Sequence, residues 1–545
     1  MQVEDTMGFR GIAGRLLLLL ALALTPLLAG LDAGDCEFHM EVLALASSQE
    51  TWFRQQADPG TWVLPTWNGA PRVNKPPLVV WINLLSWTGL PPDTPVETLI
   101  MRARYVAAGA GLLTLLATLW AGASLGGSRL GFAAAAVLAT TLLFVRQVRL
   151  ASYDTYLMAF TALAVASGLW TLHTDQPGWR RLCGWLLAGV ALGAAVLAKG
   201  PLALLLVGAP LLGLTLFTPR HRQQWPGFLL MFAVAAVVTL PWYFFILHHI
   251  PEAGNRMATE FIADRKVSKP PWYYLGLLGL VLPWCLWLAA GLWEGLRRRM
   301  EFRSALIWFL AIFLLLSLHE AKQQRYIVPI LPAASLLIAL AWLQPGRQRL
   351  GNIQAGFMGV SALAYGVFGA GQPWLLAHGL LKRPELEQLP TWLLAAVAPV
   401  LLLLTLAVYR QGKQGRREAA LWLTAGWMSL ATTPAVYGYA HSYHSRYEHH
   451  AIVEQIRDLT RDQPLYHLAS TGAEPRYERP NPKFLLYARR IVPGLSMSEA
   501  TQVNHPAWLT APVYEEVDRS LQMAGWIPVL DYRDQSIPRR LYRRG

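Results

Sequence analysis

Ionisable side chains are scarce in this chain, so the places where they gather carry information. Several sit directly beside long apolar runs: Asp35 and Glu37 in LDAGDCEFHMEV, Lys75 in NKPPLVVW, Asp154 in RLASYDTYL, Lys199 in VLAKGPLALLL, and Lys322, Arg325 and Tyr326 in KQQRYIVP. The segment HHIPEAGNRMATEFIADRKVSKPP adds His248, His249, Arg256, Asp264, Arg265, Lys266 and Lys269. Several cations converging with two or three carboxylates suit an anionic ligand with an acid–base group beside it. A phosphate anchored to a lipid is the natural ligand, because such a site opens towards the bilayer. Each residue also has a plainer role. Asp35 would be a solvated acid at a membrane edge, and Lys75 a lysine reaching to the interface. Asp154 would cap the helix it begins, and Lys199 would belong to a structural Lys-Gly-Pro turn. The phosphate loop GxxxxGK[ST], GxGxxG and HExxH are all absent from the sequence.

The elements that position these residues are membrane helices. Of 545 residues, 54% are hydrophobic and only 15% charged, against roughly a quarter charged in a soluble protein. That composition excludes disorder, collagen-like structure and an ordinary cytosolic enzyme. Crossing a bilayer takes about 20 mostly apolar residues. The sequence offers about thirteen such spans, near 12–31, 103–124, 130–148, 154–173, 181–199, 201–217, 226–247, 272–294, 304–319, 327–343, 354–377, 391–409 and 419–440. The first could instead be read as a cleaved signal peptide, but the remaining helices would then have to invert against the charge pattern. The net charge of +14 fits basic loops on the inner side better than nucleic-acid binding. With the N-terminus inside, the inner loops hold Arg129, then Arg180 and Arg181, Arg220 and Arg222, Arg297 to Arg299 with Arg303, Arg347 and Arg349, and finally Arg410, Lys413, Arg416 and Arg417. The loops 32–102, 149–154, 248–271 and 320–326, and the tail, then face outwards. Cys36, Cys183 and Cys285 lie in distant segments and indicate neither a disulfide framework nor a cysteine metal site.

The chain divides at about residue 440: a membrane domain, 1–440, with a long first outer loop, 32–102, is followed by a soluble domain, 441–545. The tail holds 14 Lys or Arg against 12 Asp or Glu. PLYHLAS, WLTAPVY and IPVLDY read as strands and EEVDRSLQMAG as a helix, which predicts a small α/β domain. The histidines of AHSYHSRYEHH, 440–450, lack a convincing ligand spacing and read as a linker at headgroup level.

Taken in order, the Asp35-x-Glu37 segment, LPTWNG, NKPPLVVW, RLASYDTYL, LAKGPLALLL, LPWYFF, KPPWYYLGLLGLVLPW and KQQRYIVPILP resemble the polyprenyl-phosphate-sugar-dependent glycosyltransferases of the GT-C fold. The resemblance is to the protein O-mannosyltransferase-like family and the lipid A aminoarabinose transferases. It runs from about residue 12 to 340 and weakens beyond. It implies an all-α polytopic membrane protein of GT-C type with a small C-terminal α/β periplasmic domain, in a bacterial inner membrane. It also implies that Asp35 is the catalytic base, with Glu37 in the same motif, and that Asp154 is the second-loop acid. Lys75 would hold the donor phosphate, joined by Lys199 and Arg265 and by Lys322, Arg325 and Tyr326 of the late outer loop. Two positions depart from the family pattern. Cys36 follows Asp35 where many relatives have Glu, and Asn74 stands where aminoarabinose-type relatives have an acid before the lysine. No cofactor is named by the sequence; a divalent metal is compatible with the family, with its ligands unknown.

The expected reaction is inverting transfer of a sugar from a polyprenyl-phosphate (undecaprenyl-phosphate) donor to a periplasmic lipid, glycan or protein acceptor, lipid A among them. The expected partners are that donor and membrane lipid, with no nucleic acid. Three rivals remain at this stage, one of them a non-catalytic scaffold built around the C-terminal domain. A ligase or polymerase of the O-antigen type would use a diphosphate-linked donor. A sugar-lipid transporter would place its charges near the membrane midplane rather than at one face.

Overall fold

A computed structural model describes residues 9–32, 36, 39–173, 177–218, 223–257, 269–276, 279, 281–297, 300–320, 322–378, 391–446, 449–469, 481–534 and 537–545. The chain forms two compact units. One comprises Met1–Leu31, Asn74–Val79 and Arg104–Ser442; the other comprises Asp32–Val73, Val80–Ala103 and Tyr443–Gly545. The sequence reading keeps 32–102 with the membrane domain, whereas most of that loop folds with the C-terminal residues.

The first unit is helical. Among the described residues, eight helices are long and apolar enough to cross a membrane, from Gly11–Leu28 to Thr391–Lys413. Leu202–Phe217, Cys285–Leu296 and Phe302–Leu318 are apolar but shorter. The difference from thirteen expected spans has local causes. Val96–Ala139 contains two helices joined at Gly126 and Gly127, the latter at φ 82°, a conformation that costs glycine nothing. The expected span 130–148 is interrupted at Thr140 and Thr141, after which the chain resumes as Leu142–Val148. The expected span 272–294 begins as the 3-10 turn Pro271–Gly276, and the α-helix Cys285–Leu296 starts after Pro283. Likewise Gln324–Ile330 is 3-10, holding Pro329, before Leu331–Leu343 continues as an α-helix. Prolines lack the N–H that an uninterrupted helix would use.

Tyr153–His173 packs along Gly178–Lys199, which packs along Trp225–His249. Small residues permit the close approach: a Cβ on Gly189 would sit 2.6 Å from that of Val234. Without a hydrophobic drive between helices in lipid, such van der Waals fit holds the bundle. Tyr153, Tyr156, Trp284 and Trp308 are wholly buried in its core.

The second unit joins a sheet to the first loop. Strands β3 (Leu465–Leu468), β4 (Gly494–Leu495), β5 (Ala507–Pro512), β6 (Ile527–Asp534) and β7 (Ile537–Arg544) follow β1 (Thr66–Trp67) and β2 (Ala70–Pro71). The five-stranded sheet has the order β4-β3-β5-β7-β6, with β3 parallel to both β4 and β5 and β7 antiparallel to both its neighbours. Helices Met497–Gln502 and Glu515–Met523 lie in this region, and Trp526 donates its indole N–H to Ala500 O at 2.9 Å. From the first loop, helix His39–Ala57 packs on helix Pro482–Ala488, and β1 and β2 form an antiparallel hairpin.

Candidate active site

The site is assembled where helices of the first unit begin and end. Tyr153–His173 starts after a tight turn whose polar groups are mutually satisfied. The Gln147 amide donates to Ser152 Oγ at 2.8 Å and Thr155 Oγ1 at 3.1 Å, and the Thr155 hydroxyl lies 2.9 Å from the carbonyls of Gln147 and Leu150. Asp154 is thereby fixed in the first helical turn, 1% exposed. Unpaired N–H groups at a helix start favour a carboxylate there.

Lys199 closes the neighbouring antiparallel helix. The chain turns at Gly200, which takes φ 102° and returns its N–H to Val196 O, so the lysine ends level with the start of the Asp154 helix. Its ammonium donates to Asp154 Oδ1. Arg325 Nε stands 3.7 Å from Asp154 Oδ2, with the arginine side chain 27% exposed. The Tyr326 ring lies beneath both cations, 4.4 Å from Lys199 Nζ and 5.4 Å from Arg325 Cζ, where its π-face attracts positive charge. Lys75 is near enough for its charge to act on Lys199. Among the described residues, the Asp154 carboxylate therefore meets two cations, Lys199 and Arg325.

Lys322, buried, is occupied differently. Its ammonium donates to Lys269 O at 3.0 Å and to His319 O, while Lys269 N–H reaches Glu320 O at 3.2 Å and the Tyr274 hydroxyl reaches Gln323 O at 3.2 Å. These bonds hold the loop that leads into Arg325 and Tyr326. Asp35, Glu37 and Arg265, with Asp264 and Lys266, lie outside the described residues; Cys36 between the first two is fully buried. Among the described residues, no three His, Cys, Asp or Glu side chains come together as a metal site. Gln147, Thr155 and Tyr274 were not singled out from the sequence. The run QVRLASYDT does carry a signal for the first two, since polar side chains clustered at a helix start commonly bond its backbone.

Three comparisons place this geometry among known proteins. The model of the dolichyl-phosphate-mannose-protein mannosyltransferase family matches residues 84–253. An undecaprenyl phosphate-α-4-amino-4-deoxy-L-arabinose arabinosyl transferase of Pseudomonas aeruginosa PAO1 is 32% identical over 402 residues, covering 69% of this chain and 68% of its own. This chain belongs to that arabinosyl transferase family. The counterpart in Aeromonas salmonicida is 28% identical over 57% of this chain and 58% of its own. As a family member the protein is a multi-span membrane glycosyltransferase. Its fold is that of ArnT from Cupriavidus metallidurans, solved bound to undecaprenyl phosphate: TM-score 0.77, 22% identity, over 97% of this chain and 98% of that one. The archaeal oligosaccharyltransferase AglB from Archaeoglobus fulgidus, in complex with an inhibitory peptide and a dolichol-phosphate, is similar with a TM-score of 0.52 and 12% identity, over 98% of this chain and 74% of that one. The arabinosyl transferase assignment and the GT-C fold agree with the sequence reading.

Proposed function

We propose that this enzyme takes a sugar from an undecaprenyl-phosphate-linked donor and places it on an acceptor at the periplasmic face of a bacterial inner membrane, with lipid A first among the acceptors. The observation that carries the reading is the pair of cations, Lys199 and Arg325, held on the buried carboxylate of Asp154, with Lys75 near enough to act on Lys199. A phosphodiester donor carries one negative charge, and its phosphate gains a second as the sugar departs. Cations fixed beforehand stabilise that growing charge more in the transition state than in the ground state. Asp154 keeps Lys199 and Arg325 in place while neutralising only part of their charge.

In the proposed step, an acceptor oxygen attacks the anomeric carbon from the face opposite the phosphate. The bond from carbon to the phosphate oxygen breaks, the carbon inverts, and undecaprenyl phosphate leaves with the electron pair. For a hydroxyl acceptor, Asp35 takes the proton. For a phosphate acceptor, already anionic, Asp35 orients it instead. In this reading Glu37 and Arg265 line the same face, Lys322 shapes the loop that bears Arg325, and residues 441–545 form the soluble domain on that side.

The test uses purified protein in detergent with a mixed pool of undecaprenyl-phosphate sugars and candidate acceptors, with Asp35→Asn as the control. Free undecaprenyl phosphate should appear with the unmutated protein, and the sugar lipid consumed identifies the donor. Full hydroxyl transfer by Asp35→Asn would sink the base assignment, and an untouched pool would sink the donor class.

A further inference from the structure

The turn between β1 and β2, Asn68–Gly69, is set by groups distant in the chain. Glu50 on helix His39–Ala57 accepts from the Asn68 N–H at 2.6 Å and the Gly69 N–H at 2.9 Å, one with each oxygen. Asn68 itself is left-handed, at φ 51°, which asparagine tolerates better than other side chains. Its side-chain amide pairs with Val492 as a neighbouring strand would: Nδ2 donates to Val492 O at 2.8 Å, and Oδ1 accepts from Val492 N–H at 2.7 Å. Three residues earlier, Arg489 is also left-handed and donates to Pro92 O at 2.5 Å and Asp93 O at 3.4 Å, with its guanidinium 5.3 Å above the Phe53 ring. Residues 489–492 thus grip the first loop at two places.

From the hairpin the chain leads to Lys75 with little slack. Arg72, buried, donates its side chain to Leu43 O at 2.7 Å and its N–H to Pro65 O at 2.8 Å, and Val73 is 2% exposed. Lys75 follows two residues later, so chain geometry keeps its Cα within about 7 Å of that of Val73. Pro76 and Pro77, both buried, then restrict the backbone on its other side.

We propose that Asn68 is a positioning residue for the donor phosphate: its pairing with Val492 fixes the hairpin that presents Lys75, which gives the C-terminal segment 489–492 a part in donor binding. This rests on the reading that Lys75 binds the phosphate. The test is binding of undecaprenyl phosphate to the full-length protein in detergent for the unmutated chain, Lys75→Ala, Asn68→Ala and the double variant. Loss of one charge-assisted contact in Lys75→Ala should weaken binding by about tenfold or more. Asn68→Ala should weaken it by about three- to tenfold, and the double variant should bind no worse than Lys75→Ala, because residues acting through one contact are not additive. Asn68→Asp keeps the acceptor for Val492 N–H and should recover part of the affinity, which a general loss of stability would not produce. Asn68→Ala binding within about twofold of the unmutated protein, or additive losses in the double variant, would overturn the proposal. Unweakened binding by Lys75→Ala would instead overturn the phosphate reading itself. If Asn68→Ala does not fold, Asn68→Asp and Arg489→Ala carry the same double-variant comparison with Lys75→Ala.

Discussion

Each unit buries an ion cluster, and the two clusters are built to opposite rules. In the sheet unit, Arg539 faces Asp534 at 3.5 Å with side chains only 4% and 6% exposed. Asn481 donates to the other Asp534 oxygen at 2.6 Å, and Arg539 reaches His467 Nδ1 at 3.2 Å and Thr510 Oγ1 at 3.5 Å. Burial pushes the Tyr532 hydroxyl above its ordinary pKa, so it stays a neutral partner for Thr510. Charge balances and the cluster is shut. In the helical unit, Asp154 is equally buried, yet among the described residues it meets two cations, Lys199 and Arg325, and Arg325 is partly open to the surroundings. A balanced, closed cluster specifies a fold; on the proposed reading, the open cationic cluster receives an anion. Burial alone does not separate the two cases, but charge count together with exposure does.

The sharpest way to break this comparison is Asp154→Ala. It leaves cations facing one another, which should cost about 3–5 kcal/mol of stability and slow release of undecaprenyl phosphate by at least about 100-fold. Thermal unfolding and single-turnover release measure the two effects, and a variant with normal turnover would remove Asp154 from the site. In the sheet unit, Arg539→Met strands the Asp534 carboxylate and should cost a similar 3–5 kcal/mol, roughly. Because this cluster is structural, undecaprenyl phosphate affinity of the folded protein should not change. A matching loss of affinity would show that the closed cluster also serves the ligand. On the proposed reading Lys75→Ala removes a phosphate contact, so the donor KM should rise by about tenfold, more than the acceptor KM.

The smallest effect expected is in pH dependence. The hydrogen bonds from Arg540 hold the Asp531 carboxyl below its ordinary pKa. A depressed folded pKa adds stability that is complete above the unfolded value, about 4, and is lost as pH falls through the folded one. The unfolding midpoint of the sheet unit should therefore decline slightly below about pH 4, and Asp531→Asn should flatten that slope. Asp531 is largely exposed, so screening keeps the effect small.

Some features of this protein are legible in sequence because their cause is local. Apolar length names the helices, since backbone polar groups in lipid must be satisfied within one segment. Lys75, Asp154, Lys199 and Arg325 stand out because charge beside a membrane span needs a reason. The dipeptide Asn68–Gly69 within LPTWNG is a strong hairpin signal. Other features are masked by their own residues. Strand β7, IPRRLYRR, hides its buried Leu541 and Tyr542 among four arginines. Helix His39–Ala57 buries Glu41, Ser47, Ser48, Gln49 and Thr51, which no apolar stripe announces.

The sequence by itself determined the class of protein, the membrane helices and which ionisable residues needed a function. Only the tertiary structure decided how those residues are shared out. Lys199 pairs with a carboxylate 45 positions away, whereas Lys322 spends its ammonium on the carbonyls of Lys269 and His319. It also decided that most of the first loop folds with the C-terminal residues, through an asparagine bonded 424 positions along the chain. Composition and periodicity report what each segment must do with its own surface. Which distant partner satisfies a charge or an amide depends on how the packed elements bring chain ends together, and one sequence read locally does not contain that.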